Sequence, residues 1–160
     1  MELNAKERQA LENIKSEEIL GIDRYKKHAE EAHDPVLRDL FNNIITQEQH
    51  HVDSITQVLS GGDIPKVDCN DYDGRNYNPQ VTYGPGVDSP EKTNDSYLAT
   101  DCIAAEKLVS GEYNDDVFVF GNSDIRQLLA DIQIEEQNHA EMLYKYKVAN
   151  GMADPNESVQ

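Results

Sequence analysis

The segments IITQEQHH (residues 44–51) and IQIEEQNH (residues 132–139) decide how this chain folds. Each places a Glu-x-x-His four residues after an isoleucine, giving Glu48 with His51 and Glu136 with His139. Positions three apart on a helix face the same side, so each pair can grip one ion. Thirty residues before each glutamate stands another, Glu18 and Glu106. An offset of 88 residues lays one half on the other: Glu18 on Glu106, Leu20 on Leu108, Tyr25 on Tyr113, Arg38 on Arg126, Leu40 on Leu128, Ile44 on Ile132 and Gln49 on Gln137. Two helical hairpins of one design are implied.

The apolar spacing agrees. Leu11, Ile14, Ile22, Tyr25 and Ala29 form one helical stripe, with Asn4 and Glu7 placed to cap its start. That helix is expected to end near His33, where Asp34 and Pro35 read as the N-cap and first turn of the next. The second stripe is Leu37, Phe41, Ile44, Ile55 and Leu59, stopped by Gly61 and Gly62. A third helix carries Leu98, Cys102, Ala105, Val109, Tyr113, Val117 and Phe120. A fourth carries Ile125, Leu128, Leu129, Ile132, Leu143 and Tyr146, with Asn122 or Ser123 as its cap. Between the hairpins, residues 61–93 hold five of the nine glycines and four of the six prolines, which predicts a loop or irregular arm.

Short connections near residues 34 and 122 force antiparallel hairpins, whereas an arm of some thirty residues, at up to about 3.3 Å each, can cross the length of a helix. The expectation is an all-α single domain over residues 1–160: hairpin one at 4–60, a crossover arm at 61–93, hairpin two at 94–149 and a short tail at 150–160. A chain of 160 residues is long enough to bury one core.

Composition narrows the partners. With 31 acidic and 14 basic residues the formal charge is -17, which excludes phosphate-backbone recognition and an anionic membrane surface. No window is apolar enough for a membrane span, and the first residues lack a signal-peptide core, so a soluble, cytoplasmic protein is expected. Cys69 and Cys102 have no nearby Cys or His partner and read as free thiols. Cys102, one turn before Glu106, is placed to approach the site, but its leading reading is a small buried apolar thiol.

Glu18, Glu48, His51, Glu106, Glu136 and His139 interrupt the stripes where apolar residues belong, so they must point inward. Four ionised carboxylates in one low-dielectric core repel one another and cost several kcal/mol each to desolvate. Two divalent cations cancel their charge and leave neutral His51 and His139 to donate ring nitrogens. In each hairpin the two glutamates stand fifteen residues either side of the turn, so all four meet at one level. Glu17, Glu31, Glu135 and Glu141 read as solvated surface. Tyr25 and Tyr113 follow the first glutamate of each half by seven residues and can hydrogen-bond a ligating carboxylate.

These residues resemble the ferritin-like di-metal carboxylate proteins, including bacterioferritin, rubrerythrin and the spore coat F-like group. The resemblance implies a ferritin-like four-helix bundle in which Glu18 and Glu106 are terminal ligands, Glu48 and Glu136 bridge two ions, and His51 and His139 complete one coordination sphere each. It implies two iron ions, with manganese as the alternative. It also implies reaction with dioxygen or hydrogen peroxide, an external electron donor, Glu48 and Glu136 as the carboxylates that shift during catalysis, and a homo-oligomer, expected as a dimer. NDSYLATDCIAAEKLVSGEYN (94–114) and LLADIQIEEQNHAEM (128–142) are most similar to the spore coat F-like group. Two departures separate the chain from rubrerythrin: it has no Cys-x-x-Cys pair for a rubredoxin domain, and Val109 stands where a second glutamate of the third helix is expected.

The leading expectation is therefore a non-haem di-iron oxidoreductase of peroxidase or ferroxidase type. A structural spore coat or assembly protein is the rival, with the Tyr-rich arm from Asp71 to Tyr83 making contacts. Iron storage in a closed cage is the third reading and requires a large symmetric oligomer.

Overall fold

The structure is a computed structural model that describes residues 2–67 and 72–156. The described residues form only helices, turns and irregular segments. Four helices are long: α1 (Ala5–Glu31), α2 (Pro35–Leu59), α4 (Pro90–Asp116) and α5 (Ser123–Ala149). A short α3 (Tyr72–Asn76) lies in the arm, and a single 3-10 turn, Val117–Val119, follows α4.

The helix ends follow from their capping chemistry. The Asn4 side chain accepts from the N–H groups of Lys6 and Glu7 while Glu7 accepts from the Asn4 N–H, a reciprocal box. Asp34 and Asn122 cap α2 and α5. Gly61 takes the positive φ of +80° that lets the chain leave α2. The start of α4 differs from the expected residue 94: Ser89 accepts from the Lys92 N–H and Pro90 occupies the first turn, where a missing N–H costs nothing, so the helix begins at Pro90. Its end differs too, because the chain tightens at Val117–Val119 and Phe120 is extended and buried rather than helical.

Cross-helix hydrogen bonds give the directions. Going up α1, Glu18 meets Tyr113, Tyr25 meets Glu106, and His28 meets Asp101, so α1 and α4 are antiparallel. Gln47 meets His139 and His51 meets Glu135, so α2 and α5 are antiparallel as well. Arg8 near the start of α1 donates to the Leu59 carbonyl at the end of α2, so those two oppose each other and α2 runs parallel to α4.

Two arginines matched by the repeat close the two turns. Arg38 donates to the carbonyls of Ala29 and Ala32, and Arg126 to those of Phe120 and Gly121. A second matched pair joins each turn to the other hairpin: Asp95 accepts from the N–H groups of His33 and Asp34, and Glu7 accepts from Gly121 N–H at 3.3 Å.

The apolar core is in two parts. One cluster gathers Tyr25, Leu37, Phe41, Ile44, Leu98, Cys102, Leu143 and Tyr146. The other gathers Leu11, Ile14, Ile55, Val58, Tyr113, Ile125, Leu129 and Ile132. Along every long helix the polar residues of the candidate site fall between them. Cys102 is a fully buried free thiol, held well above its ordinary pKa by burial, then by Glu106 and Asp101. Cys69 lies outside the described residues.

The arm is tied to its own chain. Gly74 packs so closely that a Cβ there would stand 2.6 Å from Glu141 Oε2 and 2.8 Å from Asn138 Oδ1, so a side chain would have to displace both. Lys145 donates to the Gly74 and Arg75 carbonyls. Farther on, Thr82 and Tyr83 donate their N–H groups to Asn150, the Thr82 hydroxyl donates to Asp34, and the Tyr83 hydroxyl donates to Asp95. Tyr72 is exposed while Tyr77 packs on the first apolar cluster.

Asp95 thus holds the first turn, α4 and the arm together while fully buried. Asp95→Ala leaves buried N–H groups without an acceptor and is expected to lower unfolding free energy by about 2–4 kcal/mol, measured by urea denaturation.

Candidate metal centre

The structure brings Glu18, Glu48, His51, Glu106, Glu136 and His139 to one place in the interior, each with at most 4% of its surface exposed. They fall into two overlapping groups: Glu18, Glu48, His51 and Glu136, and Glu48, Glu106, Glu136 and His139. Within each group one ligand atom per residue lies within 4.8 Å of all the others. Glu48 and Glu136 belong to both. The 88-residue offset turns one group into the other.

Both imidazoles present Nδ1 to the carboxylates. His51 Nδ1 is 3.1 Å from Glu136 Oε1 and 3.5 Å from Glu48 Oε2; His139 Nδ1 is 3.0 Å from Glu48 Oε1 and 3.5 Å from Glu106 Oε1. The rings are nearly parallel, with centroids 6.0 Å apart. On the far side, His139 Nε2 contacts Gln47 Oε1 at 2.7 Å and His51 Nε2 contacts Glu135 Oε2. Those partners are oxygens that only accept, so Nε2 carries the proton and donates, and a neutral ring keeps its Nδ1 lone pair for the interior.

Unmatched atoms test whether cations fit here. Glu18 Oε2, His51 Nδ1, Glu136 Oε1 and His139 Nδ1 are buried and lack an aligned hydrogen-bond partner. Buried polar atoms are ordinarily satisfied, and four orphans aimed at one another are what a ligand set presents. The donor set, four carboxylates and two imidazoles, suits divalent ions of the iron or manganese kind.

The tyrosines act crosswise. The Tyr25 hydroxyl donates to Glu106 and the Tyr113 hydroxyl to Glu18, so each anchors the glutamate of the other half. Burial, and then the charge of that glutamate, holds both phenols well above their ordinary pKa. They therefore remain donors. In Glu18 the bond takes Oε1 and leaves Oε2 3.6 Å from His51 Nδ1, whereas Glu106 offers the same Oε1 to Tyr25 and, at 3.5 Å, to His139 Nδ1.

Gln47 and Glu135 are the functional positions that the sequence reading missed. Glu135 is not solvated surface: it bonds a buried imidazole with its side chain 22% exposed. The available signal was their equivalence under the offset, each directly before a Glu-x-x-His glutamate. Glu141 is half-buried and pairs with Lys145 at 3.0 Å, whereas Glu17 and Glu31 are exposed. The other departure from rubrerythrin, Val109, lines the seam between α1 and α4 opposite Gly21.

Residues 94–156 match the family model of the Coat F domain. The match spans most of α4 and all of α5, and so contains Glu106, Tyr113, Glu135, Glu136 and His139. Glu18, Tyr25, Glu48 and His51 lie outside it. No curated protein and no solved structure matches the chain. No helix among the described residues is long and apolar enough to cross a membrane.

Protons balance part of the charge of this cluster. Burial raises Glu18 and Glu106 well above the usual carboxylate range, and the charges of Glu136 and Glu48 add to it. Burial opposes ionisation of Glu48 and Glu136 too, and the charge of Glu48 opposes that of Glu136, but the protonated glutamates beside them and both imidazoles, with Nδ1 3.0–3.8 Å away, hold them below their ordinary values. Burial lowers the imidazoles, yet the surrounding carboxylates outweigh it and raise both. Glu18, Glu106, His51 and His139 therefore keep protons above their ordinary pKa values, and a cation must displace them. Divalent-ion affinity is expected to rise with pH, with about two protons released per ion at neutral pH. Calorimetry of the same titration in two buffers of different ionisation enthalpy reads that number.

Proposed function

We propose that this chain is a spore coat or coat-assembly protein built on a ferritin-like four-helix bundle that holds a pair of divalent metal ions. The Coat F match over residues 94–156 carries the coat reading, and the buried six-residue cluster carries the metal reading. Glu18, His51, Glu48 and Glu136 would hold one ion and Glu106, His139, Glu48 and Glu136 the other, with Glu48 and Glu136 common to both groups. Tyr25 and Tyr113 hold Glu106 and Glu18 in place. In this role the ions fasten the two hairpins together, because every ion draws on residues from both. A coat component gains a folded state that resists opening, since separating the hairpins means releasing the metal.

A second reading, an oxidoreductase reacting with dioxygen or hydrogen peroxide, is favoured by one observation. A cavity of about 530 Å³ between α4 and α5, lined by Ile103, Lys107, Ser110 and Tyr144 among others, reaches Glu106 and Glu136. A pair of bound iron ions supplies the electrons for reducing such an oxidant. The chain itself would admit the oxidant through this cleft, keep the surrounding core dry with the two apolar clusters, and hold Glu106 through Tyr25 as the charge at the site changes.

Metal analysis of protein purified without added chelator is expected to give about two ions per chain, and Glu48→Ala with Glu136→Ala is expected to abolish binding. Reloading the stripped protein should raise its melting temperature by several degrees. A wild-type protein that neither retains nor responds to iron, manganese or zinc removes the metal reading. Antibody detection in the coat fraction of spores tests the coat reading, which fails if the protein stays in the soluble mother-cell extract. For the second reading, ferrous loading followed by peroxide is expected to give rapid oxidation that the double variant loses; equal rates remove it.

A further inference from the structure

The contacts that surround the six-residue cluster come in pairs related by the 88-residue offset. Tyr25 on Glu106 is answered by Tyr113 on Glu18, and the contact of Asp95 with the first turn by that of Glu7 with the second. One pair keeps the geometry and changes the chemistry. His139 Nε2 bonds the neutral amide oxygen of Gln47, whereas His51 Nε2 bonds the carboxylate of Glu135.

We infer that this difference at the imidazoles makes the two ion positions unequal: the position built by Glu18, His51, Glu48 and Glu136 fills first, and Glu135 is the positioning residue that sets the order. The inference rests on the di-metal reading and goes beyond it. An imidazole N–H given to a carboxylate pushes electron density toward Nδ1 and makes it a stronger donor than one given to an amide. Glu135 also adds a negative charge beyond that ring. Its partial exposure lets water screen the charge at longer range but leaves the direct hydrogen bond intact. Other breaks in the repeat lie nearby, Gly21 against Val109, Ile19 against Lys107 and Ile22 against Ser110, but none of them puts a hydrogen bond on either imidazole, so none acts on Nδ1 through the ring.

Cobalt(II) titration of the full-length, metal-stripped protein, followed by calorimetry and by visible absorption, tests this. Wild type is expected to bind in two steps separated by about tenfold or more, with His51→Ala removing the tighter step and His139→Ala the weaker. Two like ions repel even in equal sites, so the variants decide. Glu135→Gln is expected to narrow the separation by about tenfold by weakening the first step, and Gln47→Glu to narrow it by strengthening the second. In the exchanged protein, Gln47→Glu with Glu135→Gln, the tighter step should instead depend on His139. Both single variants are near-isosteric, and either one that folds, as judged by helical circular dichroism, suffices for the comparison. A separation unchanged to within about twofold in the folded variants overturns the inference while leaving a two-ion site in place. Absence of any cobalt binding in wild type overturns both.

Discussion

Four carboxylates and two imidazoles buried at one level are the constraint on which the rest of this molecule depends. A low-dielectric interior does not tolerate unpaired charge, and removing one member of such a set costs several kcal/mol because the others are left uncompensated. The polar level divides the apolar core, with the Phe41 cluster on one side and the Ile14 cluster on the other. Sliding any long helix by a turn would push a carboxylate into one cluster and a leucine or isoleucine into the polar level. The same residues therefore set helix register and build the site.

The surrounding hydrogen bonds reinforce that register by crossing between hairpins rather than staying within one. Tyr25 and Tyr113 each reach the opposite hairpin, as do Asp95 and Glu7 at the two turns. The arm adds a strap, in which Ile64 and Val67 pack on the Ile14 cluster, Gly74 sits against Asn138 and Tyr83 reaches Asp95. In that docking Tyr77 packs on the Phe41 cluster and Tyr83 bonds Asp95, while the Tyr72 side chain is exposed.

What the sequence made legible was local. Asn4, Asp34 and Gly61 announce helix ends through chemistry that acts over three or four residues, and the inward turn of Glu18 or Glu136 follows from the apolar residues on either side in the same helix. Ser89 with Pro90 is equally local, but the signal was overshadowed by the turn-rich segment before it. The misread residues depend on neighbours from another helix. Glu135 looks like solvent-facing acid until α2 is laid beside α5, and α3 is a five-residue helix held by contacts from Asn138 and Lys145 that no window of sequence contains. That each tyrosine would choose the opposite half, rather than the glutamate two turns before it, required knowing that α1 and α4 run side by side.

The crosswise pairing has a consequence for how such a molecule can be built. A hairpin taken alone presents a glutamate with no tyrosine to steady it, a tyrosine with no acid to serve, and an imidazole whose outer nitrogen has lost its acceptor. Everything it lacks is found on a second hairpin of the same pattern, turned half a revolution about an axis through the centre of the cluster. One repeated segment joined by a connecting arm reproduces, within a single polypeptide, what two identical hairpins would otherwise have to find by colliding. Once the halves are linked, each is free to drift from the other, and the amide at 47 facing the acid at 135 is one place where they have done so.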